Sequence, residues 1–291
     1  MMKRATSRGR FDYRKSWHKF SRNYLSVVGL GVVLLVAFLA IFAYYVSPYP
    51  AHAEFYVNYP EASEPPNWTH LFGTDQFGRD VLTRIIFGFR YSLMMAVVVL
   101  SLVVAPGVVL GLVAGYYRGG KVDMAIMRTA DIFLAVPPLV LALSICSVLT
   151  PSVFNAMMAV SLMWWPWYTR LVYSIASSLR NEAFVQAAQI AGASPFHIIF
   201  REILPNCLGP ILTKMTLDAG WVILIGASLS FVGLGAQPPT PDLGTMVSDG
   251  AKLLPEQWWI AIFPAMTIVL VILGFNLLGD GVRDMFSAET V

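Results

Sequence analysis

Long stretches without a single Asp, Glu, Lys or Arg decide what this chain can fold into. A charge at the centre of a bilayer costs about 2.5 to 3.5 kcal/mol even on the lenient insertion scale, and a hydrocarbon layer needs about 20 apolar residues of helix to cross it. No charge falls between Arg22 and Glu54, and the core from Ser26 to Val46 has the length of one span. A second clean run lies between Arg90 and Arg118, opening Tyr91-Ser-Leu-Met94 and closing Ala114-Gly-Tyr-Tyr117, with aromatic residues at headgroup depth. The window Ile132 to Thr169 is too long for one helix and is interrupted at Leu149-Thr-Pro-Ser152, so it reads as spans three and four joined by a tight turn. Cys207 to Leu234 supplies the fifth span in spite of Lys214 and Asp218, and Gln257 to Gly279, opening on Trp258-Trp259, supplies the sixth. Composition agrees: 57% of the 291 residues are hydrophobic and 13% charged, roughly half the charged fraction of an ordinary soluble chain. The fold class is all-α, a polytopic membrane protein with six transmembrane helices.

Basic residues near the short connections set the orientation. Lys3, Arg4, Arg8, Arg10, Arg14, Lys15, Lys19 and Arg22 precede the first span against the single acid Asp12, which places the N-terminus in the cytosol. Arg118 and Lys121 after span two, and Arg170, Arg180 and Arg201 after span four, fall on the same side, whereas Glu54, Glu61 and Glu64 lie across the membrane. Both termini are then cytosolic. The chain divides into a basic arm (1–22), a first transmembrane helix (23–47), an extracytoplasmic segment with a short surface helix (48–90), a core (91–285) holding a cytosolic hairpin (178–206), and a cytosolic tail (286–291). A cleaved signal peptide is the competing reading of the first 46 residues, but the apolar part is too long and Tyr44-Tyr-Val-Ser-Pro48 does not look like a small-residue cleavage site. Phe11, Tyr13, Trp17 and Phe20 are interleaved with the charges of the arm, which suits either contact with anionic lipid or a topology signal alone. Cys146 and Cys207 fall near opposite faces of the membrane and read as small buried hydrophobes without a disulfide.

Between spans four and five the chemistry changes. Glu182 to Ala191 suits a short helix with little bulk at Ala183, Ala187 and Ala188, and Gly192 stops it. A second helix begins at Ser194, which can cap it, with Pro195 at the first helical position. It continues through Arg201 and ends at Pro205, with Phe196, Ile199, Phe200 and Ile203 on one face. Such a hairpin can sit in a groove of another protein or pack only against its own bundle; the pattern by itself leaves both open.

Here the sequence resembles a known family. Glu182-Ala183, Ala187-Ala188, Gly192, Ile203, Leu204 and Pro205 resemble the EAA motif of the membrane subunits of binding-protein-dependent ABC importers, with Phe184 replacing the second Ala of the triplet. His70 to Arg84, followed by Gly88 and Tyr91-Ser-Leu93, resembles the stretch before the second span in the second permease of dipeptide, oligopeptide and nickel transporters, as do Gly233 to Thr245 and Phe275 to Asp284. The resemblance covers about residues 15 to 285. It implies the type I ABC importer permease fold, with Glu182, Ala183, Ala187, Ala188, Gly192, Ala193, Ser194, Ile203 and Pro205 in coupling helices that dock on an ATPase. It further implies a homologous partner permease, two cytosolic ATPase subunits that hold ATP and Mg2+, and an external solute-binding protein. No cofactor is implied in this chain.

Read for themselves, Gly73, Thr74, Asp75 and Gly78 form a rigid turn leading to Arg79 and Asp80, and Asp80 with Arg84 supports a short helix along the outer surface. Anchoring the outer segment and supporting a gate or a binding-protein contact are the two roles open to it. The Pro238-Pro-Thr-Pro241 run stiffens the last outer loop. Pro137-Pro138 interrupts span three, as a packing kink or to free carbonyls toward a cavity. Lys214 and Asp218 share a helical face and neutralise each other, as an internal strut or as a pair on the aqueous path. Arg128 and Asp131 sit at the inner interface. The chain has no phosphate loop with Gly-Lys-Ser/Thr, and His18, His52, His70 and His197 are scattered without metal-ligand spacing. Energy then enters through partners, by alternating access driven from the hairpin. Dipeptides or short oligopeptides lead as solute, with nickel complexes, glutathione or oligosaccharides as alternatives; an ion-coupled transporter or channel, or a membrane scaffold, are rivals of another class.

Overall fold

The computed structural model describes residues 13–286, all helical apart from turns and one isolated bridge between Thr74 and Asp80. Lys3, Arg4, Arg8, Arg10, Phe11 and Asp12 of the basic arm, and residues 287–291 of the tail, lie outside the described residues. The order is α1 (Tyr13–Arg22), α2 (Tyr24–Ile41), a single turn α3 (Ala43–Val46), two 3-10 turns (Pro50–Ala53 and Tyr59–Glu61), then α4 (Val81–Tyr116), α5 (Lys121–Leu134), α6 (Pro138–Val148) and α7 (Val153–Leu179). After α8 (Ala183–Ile190) come α9 (Pro195–His197), a π-helical turn (Ile198–Ile203), α10 (Leu204–Phe231), α11 (Leu243–Ala251) and α12 (Trp258–Phe286). Among the described residues four helices are long and apolar enough to cross a membrane, namely Tyr24–Ile41, Val81–Tyr116, the continuous Pro195–Phe231 and Trp258–Phe286, and the broken pair α5 and α6 makes up to five.

Three expectations from the sequence need correction. The helix that carries the second span begins ten residues before Tyr91, and no separate surface helix carries Arg84: Asp80 caps α4 directly, its Oδ2 accepting from Thr83 N at 2.7 Å, and the helix runs from Val81 unbroken to Tyr116. At 36 residues it is about 54 Å long, so its first turns stand clear of a hydrocarbon layer of about 30 Å. The absence of charge marked the lipid crossing and not the helix start, because Arg84 and Arg90 find protein partners. Arg90 donates to the carbonyls of Ala40 at 2.7 Å and Ile41 at 3.3 Å, satisfying the C-terminal end of α2.

The second hairpin helix likewise does not end at Pro205, which lies in the first turn of α10. Proline lacks the N-H of a regular ladder and crowds the carbonyl before it; the π register at Ile198–Ile203 takes up the mismatch and the helix continues. Phe196 also leaves the expected face, being 72% exposed while Ile198, Ile199 and Ile203 are buried. Span three is broken at Ala135 to Pro137, where α5 and α6 meet at 84°; the turn at Leu149 to Ser152 falls where the sequence indicates, with Ser152 Oγ capping Asn155 N.

The helices pack by shape at small residues. Gly107, Gly111 and Gly115 form a stripe on α4 against α7, where an added Cβ at Gly111 would lie 2.6 Å from Thr169 O and one at Gly115 2.7 Å from Ala176 Cβ. Small residues at four-residue spacing are how membrane helices approach closely when lipid removes the hydrophobic drive. On the other side α2 lies on α12, with Gly29 against Leu277 and Leu278 and Gly274 against Val32. Buried side chains form two groups: a large one including Val99, Val160 and Leu229, and a smaller one under the hairpin around Leu112, Val172 and Cys207. Cys146 and Cys207 are both free and buried.

Candidate functional sites: the hairpin, the outer network and an intramembrane ion pair

Residues 180 to 203 fold as a hairpin seated on the C-terminal ends of α4 and α7 and the N-terminal end of α10. Helix α8 closes with a complete C-terminal cap: Ala193 N donates to Ala188 O at 3.0 Å and Gly192 N to Gln189 O at 3.0 Å, with Gly192 at φ +79°. Ser194 Oγ then accepts from His197 N at 3.3 Å, and Pro195 opens the next helix. Val185, Ile198, Ile199 and Ile203 are buried against Leu112, Val172 and Ala176. The opposite surface is open: Glu182, Ala183, Ala187, Gly192, Ser194 and Pro205 are exposed, Ala188 and Ala193 are half-buried, and Ile190 is 88% exposed. The hairpin thus has one face held by its own bundle and one face exposed.

The outer motif is an internal network. Asp75 Oδ1 accepts from Phe77 N at 2.9 Å and Arg79 N at 3.0 Å, while Oδ2 takes Arg79 Nε at 2.7 Å and lies 3.6 Å from Arg84 Nε. Arg84 donates to Ala53 O at 3.1 Å, tying the 3-10 turn to α4. Thr74, fully buried, accepts from Glu64 N at 2.8 Å, and its carbonyl accepts from Trp259 Nε1 at 3.1 Å, joining the segment to α12. Gly73 and Gly78 have φ of +72° and +77°, and at Gly78 a side chain would strike Asn58 O. These residues anchor the segment.

Two of the scattered histidines meet here, which nothing in their spacing indicated. Asp80 N donates to His52 Nδ1 at 3.1 Å, and His70 Nδ1 lies 2.9 Å from Asp80 Oδ1. The acceptor role makes His52 neutral, in agreement with burial that lowers its pKa from 6.5 against the opposing pull of Asp80. Among the described residues no group of three or more His, Cys, Asp or Glu is placed to hold a metal.

Within the helices, Lys214 Nζ lies 3.1 Å from both carboxylate oxygens of Asp218. Trp164, which no motif or spacing singled out, donates Nε1-H to Asp218 Oδ2 at 2.9 Å. Asp131 of α5 pairs with Arg170 of α7. Between α4 and α10 an apolar groove of about 630 Å³, lined by Val97, Val104, Leu208 and Met215 among others, is uncovered by the chain itself.

Comparison with known proteins is consistent from end to end. The chain is 42% identical to a dipeptide transport system permease protein of Alkalihalophilus pseudofirmus over 94% of this chain and 88% of that one. It is 44% identical to the dipeptide transport system permease protein of Escherichia coli K12, covering 92% and 90%. A glutathione transport system permease protein of Pectobacterium atrosepticum is 38% identical, covering 94% and 90%. Among solved structures, a chain of the MetNI methionine ABC transporter in its inward-facing conformation shares the fold at a TM-score of 0.58, with 18% identity, covering 70% of this chain and 96% of that one. Residues 13–66 match the N-terminal transmembrane domain of oligopeptide transport permease C. Residues 107–290 match the inner membrane component of binding-protein-dependent transport systems, and the chain, a multi-pass membrane protein, belongs to that family.

Proposed function

We propose that this chain is one of two homologous permeases of an ATP-driven importer and that it forms, with its partner, a path for dipeptides or short oligopeptides delivered by an external solute-binding protein. The observation that carries the reading is the hairpin: a small-residue face at Ala183 and Ala187 is free, while the opposite face is locked to the inner ends of three helices. A push on the free face is therefore a push on α4, α7 and α10, which are close-packed and move as bodies. ATP and Mg2+ belong to two cytosolic ATPase subunits that dock there, and this chain contributes no hydrolytic group. Solute and gating then follow alternating access.

The reading takes six spans with both termini in the cytosol. Helix α7 is the sixth: its 27 residues measure about 40 Å, long enough to cross, although its Trp164-Trp-Pro-Trp-Tyr168 stretch makes it less apolar than the others. The α4 and α10 groove accepts the partner permease. Dipeptides are favoured because relatives named for dipeptide transport are 37 to 44% identical to this chain; glutathione is the second reading, resting on the glutathione permease at 38%.

Intact-complex mass spectrometry after gentle extraction from native membrane tests the assembly, and proteoliposome uptake tests the solute. Recovery with one homologous permease and two ATPases, with saturable glycyl-leucine uptake, is the expected result. Recovery alone, or as a homo-oligomer without ATPases, overturns the importer reading; uptake of glutathione without dipeptides moves the solute.

A further inference from the structure

The two members of the intramembrane ion pair are not equivalent. Asp218 is 4% exposed and both of its oxygens are engaged, by Lys214 and by the indole N-H of Trp164. It is a fixed counter-ion. Lys214 keeps 24% of its side chain exposed, and its ammonium lies 5.8 Å from the Trp167 ring centroid and 5.4 Å from that of Tyr168, so aromatic faces of α7 hold it in place. An ammonium has three N-H donors, and the acid is reached from one side.

The other side opens on a groove of about 640 Å³ whose walls include Leu171, Pro210, Trp221 and Phe286, with Arg283 at its inner end. The volume lies within the usual range for small-molecule sites. Lys214 and Arg283 against Asp218 leave the lining with an excess positive charge. A lipid tail in this groove would strip water from an ammonium and return nothing, so its natural occupant is polar at one end and apolar elsewhere.

We propose that Lys214 binds the terminal carboxylate of the transported peptide in this groove, with the peptide side chains against the apolar walls. The proposal rests on the peptide reading above. Asp218 competes for the same ammonium, which keeps the contact weak enough for release, as a transport path requires.

The test is glycyl-leucine uptake by proteoliposomes holding the complete importer with its binding protein. Lys214→Met alone would strand Asp218, so the deciding variant is Lys214→Met with Asp218→Asn, which removes both charges together; Lys214→Arg keeps the cation. Expected is uptake within about threefold of wild type for Lys214→Arg and a loss of about tenfold or more for the double variant, with the complex still recovered intact. Three results overturn the proposal. Uptake by the double variant within about threefold of wild type reduces the pair to a strut. Loss of the partner permease on purification assigns Lys214 to subunit contact. A phospholipid that copurifies with wild type and is lost from the double variant, with uptake retained, assigns the groove to a lipid headgroup. Absence of dipeptide uptake in the wild-type complex would instead refute the functional reading, and is seen before any variant is compared.

Discussion

Asp75→Asn isolates the charge at the centre of the outer network. The amide oxygen can keep the two backbone bonds to Phe77 N and Arg79 N, but an NH2 then faces Arg79 Nε, 2.7 Å from the present carboxylate, and Arg84 Nε, 3.6 Å away. Asp75 and both arginine side chains are 10% exposed or less, so solvent screens little of the loss. Removing one partner of a buried ion pair costs about 3 to 5 kcal/mol, and the retained backbone bonds place this case near the lower end, about 3 kcal/mol. That corresponds to about a hundredfold increase in the open population of the segment. Trypsin reads the opening, because Arg79, Arg84 and Arg90 are the only Lys or Arg between Arg22 and Arg118. With reclosing faster than cleavage, the rate follows the open population. Trypsin added to proteoliposomes should therefore cut Asp75→Asn about a hundredfold faster than wild type after Arg79 or Arg84. Cleavage within about threefold of wild type would show that the network is not what holds the segment down.

Other perturbations follow from the same geometry. Gly111→Val places carbon 2.6 Å from Thr169 O, and forcing α4 off α7 should cost about 1 to 3 kcal/mol, read as a lower melting temperature of the purified chain in detergent; an unchanged melting temperature counts against the glycine stripe. His52 has a folded pKa below its 6.5 reference, so the unfolded state binds the extra proton and stability is lost as pH falls through 6.5 toward the folded value; proteolysis of the outer segment should accelerate across that window in wild type and not in His52→Gln. Gly192→Leu meets open space but must hold φ +79°, a backbone cost of about 1 to 2 kcal/mol, and should uncouple ATP hydrolysis from uptake while membrane insertion persists; normal uptake would remove Gly192 from the coupling segment. Ala187→Trp fills the exposed face of α8 and should lower recovery of the ATPase after detergent extraction, with unchanged recovery refuting the docking assignment.

Much of the fold was legible because lipid is an exacting solvent. The break at Pro137-Pro138, the turn at Leu149 to Ser152, the stop at Gly192 and the cap at Ser194 all follow from local backbone chemistry, which neighbours in sequence determine. The misplaced boundaries share one cause. Arg84, Arg90 and Pro205 are local signals for an end of helix, and each is overridden by a partner or register that the linear sequence does not display: Asp75 and Ala53 for Arg84, the α2 carbonyls for Arg90, and the π turn for Pro205. The Gly107, Gly111 and Gly115 repeat was a visible signal of close packing that hydropathy passes over, since glycine contributes almost nothing to it.

The membrane class, the hairpin with its small-residue face and the family motifs are readable along the chain, because each depends on composition or on residues within a few turns of one another. What those residues face depends on how distant segments pack together. His52 and Asp80 are joined across 28 positions, Trp164 and Asp218 across 54, and Thr74 and Trp259 across 185. A buried polar group must find its partner wherever the packed helices bring one, so these pairings, and the difference between a sealed Asp218 and an open Lys214, are set by how the helices meet in three dimensions and by no periodicity along the chain.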